Sequence, residues 1–176
     1  MHIIDLTSIT GNKRTLVFSC VECSIVSETP DTRVFTITSM GTTLLHHDLM
    51  QKEHIRYHVK LKQCSQIVVV GHAHCNALKH VLSSPTENTS ILNLKTSLNA
   101  MLPGNTNIRQ KDSYEKRLME FNILQQGNSL MKYDFVQEGV TRGALSVIGV
   151  IYDEDHKTLE KIFFNGIPLQ TQTVLS

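Results

Sequence analysis

The chain reads as an α/β fold: a mostly parallel central sheet of four to five strands, flanked by helices. Short runs of β-branched residues bounded by turn signals recur along it, which is the pattern of strands buried on both faces. Between them lie longer stretches with apolar residues at helical spacing. Strands that alternate with helices imply crossover connections and parallel pairing. The length of 176 residues suits one domain's worth of core, so a single domain over residues 1–176 is expected.

Each element has its own signal. Thr15-Leu16-Val17-Phe18 forms a first strand ending at Ser19-Cys20, and Arg33 to Ile37 a second ending before Met40-Gly41. Thr42 to Gln63 follows as a long polar helix with a ragged stripe of Leu45, Leu49, Ile55 and Val59; its His46, His47, His54 and His58 are expected on the solvated face. Ile67-Val68-Val69-Val70 is a third strand, stopped at Gly71-His72, and Cys64 just before it suits a small core position. Ser83 to Gln110 carries Pro85, Pro103 and Gly104 and reads as a loop around a short helix near residues 91–101. A cleaner helix spans Ser113 to Gln126. Asp112 is placed to cap it, Glu115 completes a capping box, Leu118, Phe121 and Leu124 repeat at helical spacing, and Gly127 stops it. Ala144 to Tyr152 is a fourth strand ending at Asp153-Glu154-Asp155, and Lys161 to Phe164 a fifth, placed as an antiparallel edge.

Composition excludes several classes of function. Lys and Arg number 17 against 16 Asp and Glu, a formal charge of +1, so no basic excess calls for nucleic acid or an anionic membrane surface. No run approaches the ~20 apolar residues of a membrane span. Met1-His2-Ile3-Ile4-Asp5-Leu6 lacks the form of a secretory signal. A cytoplasmic protein with reduced cysteines is expected, and there such residues serve as metal ligands or nucleophiles more often than as disulfides.

In sheets of this kind, sites form at the carboxyl ends of strands, where Cys20 and His72 both fall. His72 and Cys75 stand three apart at the start of a helix, so both can turn to one point, and Cys20 can add a third donor. Two thiolates and an imidazole suit Zn2+, and three protein ligands leave a fourth position for water. The spacing of His72 and Cys75 is equally compatible with ordinary core positions. A redox pair at Cys20-x-x-Cys23 is disfavoured because such a pair should open a helix directly, whereas Ser24 to Pro30 reads as a loop. His74 alternates away from the ligands, towards a supporting or surface place.

Ordered motifs reinforce the zinc reading. Cys20-Val21-Glu22-Cys23-Ser24 and Gly71-His72-Ala73-His74-Cys75-Asn76 resemble the Cys-x-Asp-Ser-Arg and Gly-His-x-x-Cys motifs of β-class carbonic anhydrases. Val34 to Gly41 resembles that family's Val-Phe-x-x-Arg-Asn-Ala-Gly segment. Asn122-Ile123-Leu124-Gln125 resembles its Asn-Val-x-x-Gln helix, and Gly143 to Asp153 its late strand ending in Gly-x-x-Tyr-Asp. The resemblance implies zinc on Cys20, His72 and Cys75, reversible hydration of carbon dioxide to bicarbonate, and a homodimer or higher homo-oligomer. In that family the Asp of the first motif organises the zinc-bound water, and the Arg holds that Asp off the metal.

This chain departs at both positions, with Glu22 for the Asp and Ser24 for the Arg. Glu22 is the catalytic candidate nearest the open coordination position. Without its Arg it could instead swing onto zinc and exclude water, and Cys23 offers a second closure through a Cys₃His set. Arg33 or Arg142 could stand in for the absent Arg in space. The alternatives to carbon dioxide hydration are therefore a catalytically silent zinc protein with a structural or partner-binding role, and a zinc hydrolase acting on another small electrophile.

Overall fold

The computed structural model describes residues 2–26, 33–44, 48–83, 85, 92, 95–96 and 111–174. Its strands are β1 (His2–Asp5), β2 (Thr15–Cys20), β3 (Cys23–Val26), β4 (Val34–Ser39), β5 (Gln66–His72), β6 (Ser146–Asp153), β7 (Thr158–Phe164) and β8 (Ile167–Val174). Its helices are the single turn α1 (Thr7–Thr10), α2 (Leu49–Lys60), α3 (Asn76–Ser83), α4 (Lys111–Met131) and α5 (Asp134–Thr141). The main sheet runs β4-β2-β5-β6-β7-β8. The pairs among β4, β2, β5 and β6 are parallel; β7 and β8 join antiparallel. A separate two-stranded parallel sheet pairs β1 with β3.

The expected class is therefore present, with a mixed sheet of six strands. The strands read from continuous apolar runs are the most deeply placed: every residue of β2 and of β5 is buried. Lys161 to Phe164 is antiparallel as expected, but β8 pairs along its outer side, so it is not the edge. The hairpin turns on Asn165-Gly166, both at positive φ of 49° and 91°, and this dipeptide is the strongest short-range hairpin signal. Ser24 to Val26 forms a strand rather than a loop, because Ser24, Ile25 and Val26 pair in register with Ile3, Ile4 and Asp5.

Helix boundaries differ from the sequence expectation. Helix α2 begins at Leu49 because the Asp48 carboxylate accepts from the backbone N–H groups of Met50 and Gln51. His46 and His47 lie outside the described residues, as does most of the stretch from Ser84 to Gln110. His54 is exposed as expected, but His58 is buried. It stands three residues after buried Ile55, on the same helix face, with its ring 4.9 Å from that of Phe35. Among the described residues helix α4 spans Lys111–Met131, so Asp112 falls within it and the helix runs past Gly127. Gly127 is instead a packing position: a Cβ there would sit 2.8–3.0 Å from the Phe163 ring.

Buried side chains of α4 tie down the backbone that follows β4. Asn122 Nδ2 donates to the Gly41 carbonyl (2.8 Å), Gln126 Nε2 to Asn122 Oδ1 (2.9 Å), and Leu44 N to Gln126 Oε1 (2.8 Å). Gln126, one residue beyond the stretch read from the sequence, makes the contact. Gly41 itself has φ 61°, and a Cβ there would lie 2.7 Å from the Leu78 Cα of α3. Backbone cannot yield as a flexible side chain can. Gly41→Ala should therefore cost about 2–4 kcal/mol in urea unfolding, from left-handed strain plus overpacking. A loss below about 0.5 kcal/mol, the range of an unremarked surface substitution, would contradict this packing.

Candidate metal centre

Parallel register brings the predicted ligands together. Phe18 of β2 stands opposite Val69 of β5, so the two strands end side by side, with Cys20 and His72 at their carboxyl ends. Cys75 follows across the short turn into α3. The turn passes through His74 at φ 55°, which directs the chain back so that His72 and Cys75 face one point. Cys20 and His72 are fully buried and Cys75 nearly so.

Donor atoms of Cys20, Glu22, His72 and Cys75 all lie within 4.8 Å of one another. The two sulfurs are 3.6 Å apart, and Glu22 Oε2 is 3.5 Å from His72 Nε2. Tetrahedral zinc, with Zn–S of about 2.3 Å and Zn–N or Zn–O of about 2.0–2.1 Å, requires separations of roughly 3.8 and 3.4 Å between such pairs. The spacing and the soft, borderline and hard donors together fit zinc. Cys23 opens β3, buried and within hydrogen-bonding reach of His72, but it is outside the group of four.

Glu22 is held by backbone. Its Oε2 accepts from Asn76 N (3.0 Å) and Ala77 N (3.2 Å) in the first turn of α3, where unsatisfied N–H groups and the helix dipole favour an anion. Backbone amides thus pair with this carboxylate where the resemblance led one to look for an arginine. Arg142 instead pairs with Glu138 on α5. The Arg33 carbonyl accepts from Thr15 N, at the end of β2 opposite Cys20. Cys20 Sγ accepts from Glu22 N (3.5 Å) and Cys75 Sγ from Leu78 N (3.3 Å), so backbone donors also stabilise charge on both sulfurs.

Titration follows the crowding of anions. The Cys75 thiol beside it, opposed by burial but aided by His72, holds Cys20 far below the ordinary thiol range. Cys20 and burial push Cys75 up. Burial alone would depress His72, but Cys20, Cys23 and the Glu154 carboxylate push it up to about 11. The hydrogen bonds among these groups thus bias Cys20 towards the thiolate and His72 towards its protonated form.

Two acidic residues at the site were not among the site residues read from the sequence: Glu154 was only part of an acidic turn, and Glu115 was expected in a capping box. Glu154, in the turn after β6, places Oε1 3.0 Å from His72 Nδ1. Its only sequence signal was an acidic turn at the end of a buried strand. Glu115 is buried on α4, where its Oε2 is 2.7 Å from His74 Nδ1 and its Oε1 2.8 Å from Lys79 Nζ. His74 thus takes a supporting place, tying the ligand turn to α4.

A buried sheet whose carboxyl ends gather two thiols, an imidazole and a carboxylate presents a candidate metal centre in an α/β chain. The family described as carbonic anhydrase matches residues 15–159, and the chain belongs to the β-carbonic anhydrase family. The wild-type β-carbonic anhydrase CafD of Aspergillus fumigatus is similar at 19% identity and TM-score 0.66, covering 87% of this chain and 91% of that one. The Coccomyxa enzyme in complex with acetazolamide is 23% identical, with TM-score 0.67 and coverage of 89% and 75%. A tetrameric β-carbonic anhydrase of Sordaria macrospora is 20% identical, with TM-score 0.63 and coverage of 89% and 85%. No curated protein matches the sequence.

Glu115 generates a pH prediction. Burial would raise its carboxyl, but hydrogen bonds and charge from Lys79 and His74 outweigh this and hold it below its ordinary value of 4.5. A depressed carboxylate contributes stability above its unfolded pKa and loses it as pH falls through the folded one. Glu115→Gln should therefore cost about 1–2 kcal/mol at neutral pH. In metal-free chains the gap to wild type should narrow by ~pH 3.5. Urea titrations at the two pH values check this; a gap that does not narrow would contradict the assignment.

Proposed function

We propose that this chain is a zinc-dependent carbon dioxide hydratase in which Cys20, His72 and Cys75 hold the metal and Glu22 controls the fourth position. The observation that carries the reading is the four-donor cluster at tetrahedral spacing in a chain of this family. Zinc, when bound, supplies a Lewis acid that lowers the pKa of a coordinated water. The protein's part is to bind, orient and exclude. The thiolates of Cys20 and Cys75 offset the metal's charge, so hydrogen bonds around the site carry more of the activation. Glu22 Oε2, tied to the N–H groups of Asn76 and Ala77, must give up its place beside His72 to admit water. From there it can accept the water's hydrogen and set its orientation. Carbon dioxide and bicarbonate are the substrates, and the protein acts as one zinc-binding unit per chain within a homodimer or larger homo-oligomer.

A second reading rests on the same carboxylate. An Oε2 fixed by two backbone donors and 3.5 Å from His72 Nε2 would, if it also took the metal, shut water out and leave a silent zinc protein. Stopped-flow carbon dioxide hydration across pH, on protein carrying one zinc per chain, separates the two. Activity rising with pH supports the hydratase; none at full zinc occupancy supports the closed site. Cys20→Ser should lose both zinc and activity. The double change Glu22→Asp, Ser24→Arg should raise kcat by up to about 10²-fold, because an ångström-scale misplacement costs that much. No gain from the double change would mean that the carboxylate's length and partner are not what limits the rate, and would point to a pocket shaped for another small electrophile.

A further inference from the structure

The turn that ends β6 reaches the back of the His72 ring. Residues His72 and Tyr152 are register partners at the ends of β5 and β6, so the turn after Tyr152 passes beside the imidazole. Asp153 fixes its shape: Oδ1 accepts from Asp155 N (3.0 Å) and His156 N (3.1 Å), and Oδ2 lies 3.0 Å from His156 Nδ1. A turn braced in this way aims the intervening Glu154 inward, and its side chain keeps 23% exposure while Oε1 sits 3.0 Å from His72 Nδ1. The Ala73 carbonyl is also 3.0 Å from Nδ1.

Glu154 Oε1 and the Ala73 carbonyl, which both face Nδ1, are acceptors. Nδ1 must therefore carry the hydrogen, and in the neutral ring the lone pair is then on Nε2, the atom 3.5 Å from Glu22 Oε2. A fully buried imidazole with its far nitrogen tied to a carboxylate is the arrangement that fixes tautomer and ring plane for metal ligation. We propose that Glu154 is a positioning residue for the metal: through its hydrogen bond to His72 Nδ1 it sets the ring's tautomer and orientation so that Nε2 faces Cys20, Glu22 and Cys75. The proposal rests on the zinc reading of the site. It assigns Glu154 no contact with substrate or metal.

Carboxylate partners of this kind are worth about 10–100-fold in metal affinity. Zinc affinity is read by competition with a chromophoric chelator at neutral pH, for wild type, Glu154→Ala and Glu154→Gln, alongside thermal unfolding of the three metal-free chains. Glu154→Ala should weaken zinc binding by about 10–100-fold. Glu154→Gln keeps an acceptor oxygen and should stay within a few-fold of wild type, and the metal-free Ala variant, which loses the hydrogen bond to His72, should lose less in stability than it loses in zinc binding. An Ala variant that binds like wild type overturns the proposal, as does a Gln variant that loses as much as Ala, or an affinity loss matched by lost metal-free stability. A wild-type chain that takes up no zinc overturns the zinc reading and this inference together, whereas zinc held equally by all three chains overturns the inference alone.

Discussion

Anion crowding at the carboxyl ends of β2 and β5 is the constraint on which the rest of the structure turns. Were both sulfurs ionised, at 3.6 Å and beside a carboxylate 3.5 Å from the imidazole, they would repel one another unless a cation or donors compensated them. The fold supplies donors from three directions. Backbone N–H groups of Glu22 and Leu78 point at the sulfurs, the first turn of α3 points at Glu22, and His72 lies between them. Because β2 and β5 are buried along their whole length, the strand ends cannot splay to relieve the repulsion. Gly41 against Leu78 and Asn122 against the Gly41 carbonyl then fix α3, and with it Cys75, relative to the strands.

A helix N-terminus holds Glu22 where the resemblance led one to look for an arginine. An arginine holds a carboxylate through a mobile side chain, whereas the amides of Asn76 and Ala77 belong to the same short helix that follows Cys75. Movement of Glu22 is thereby coupled to the ligand turn. The longer Glu22 side chain, compared with aspartate, is accommodated because its donors are at the start of α3 rather than at Ser24. Glu115 and Glu154 buttress that turn from α4 and from the end of β6, so three carboxylates on separate elements surround residues 72–75.

Continuous β-branched runs made β2, β5 and β6 legible, because burial on both faces leaves no alternative composition. The places of Cys20 and His72 were legible for the same reason, since the ends of such strands can be located by counting, whereas Cys75 was singled out by its spacing from His72 and by the family resemblance. What stayed hidden depends on pairing across long sequence distances. Ser24 to Val26 is a strand only because β1 lies beside it. The last strand carries polar residues and Pro168, which weaken its pattern, although Asn165-Gly166 marks its hairpin. His58 belongs to the buried face because Phe35 of a distant strand covers it. Glu22's partners are backbone groups, which no side-chain motif reports, and Glu154 meets His72 only through the β5–β6 register.

The central claim is the identity of the ligands, and zinc-edge X-ray absorption on the zinc-loaded chain tests it most directly. The account predicts two sulfurs at about 2.3 Å and two nitrogen or oxygen donors at about 2.0–2.1 Å. Three sulfurs would mean that Cys23 has entered and closed the site, and fewer than two would mean that Cys20 and Cys75 do not share the metal. Either result would contradict the account.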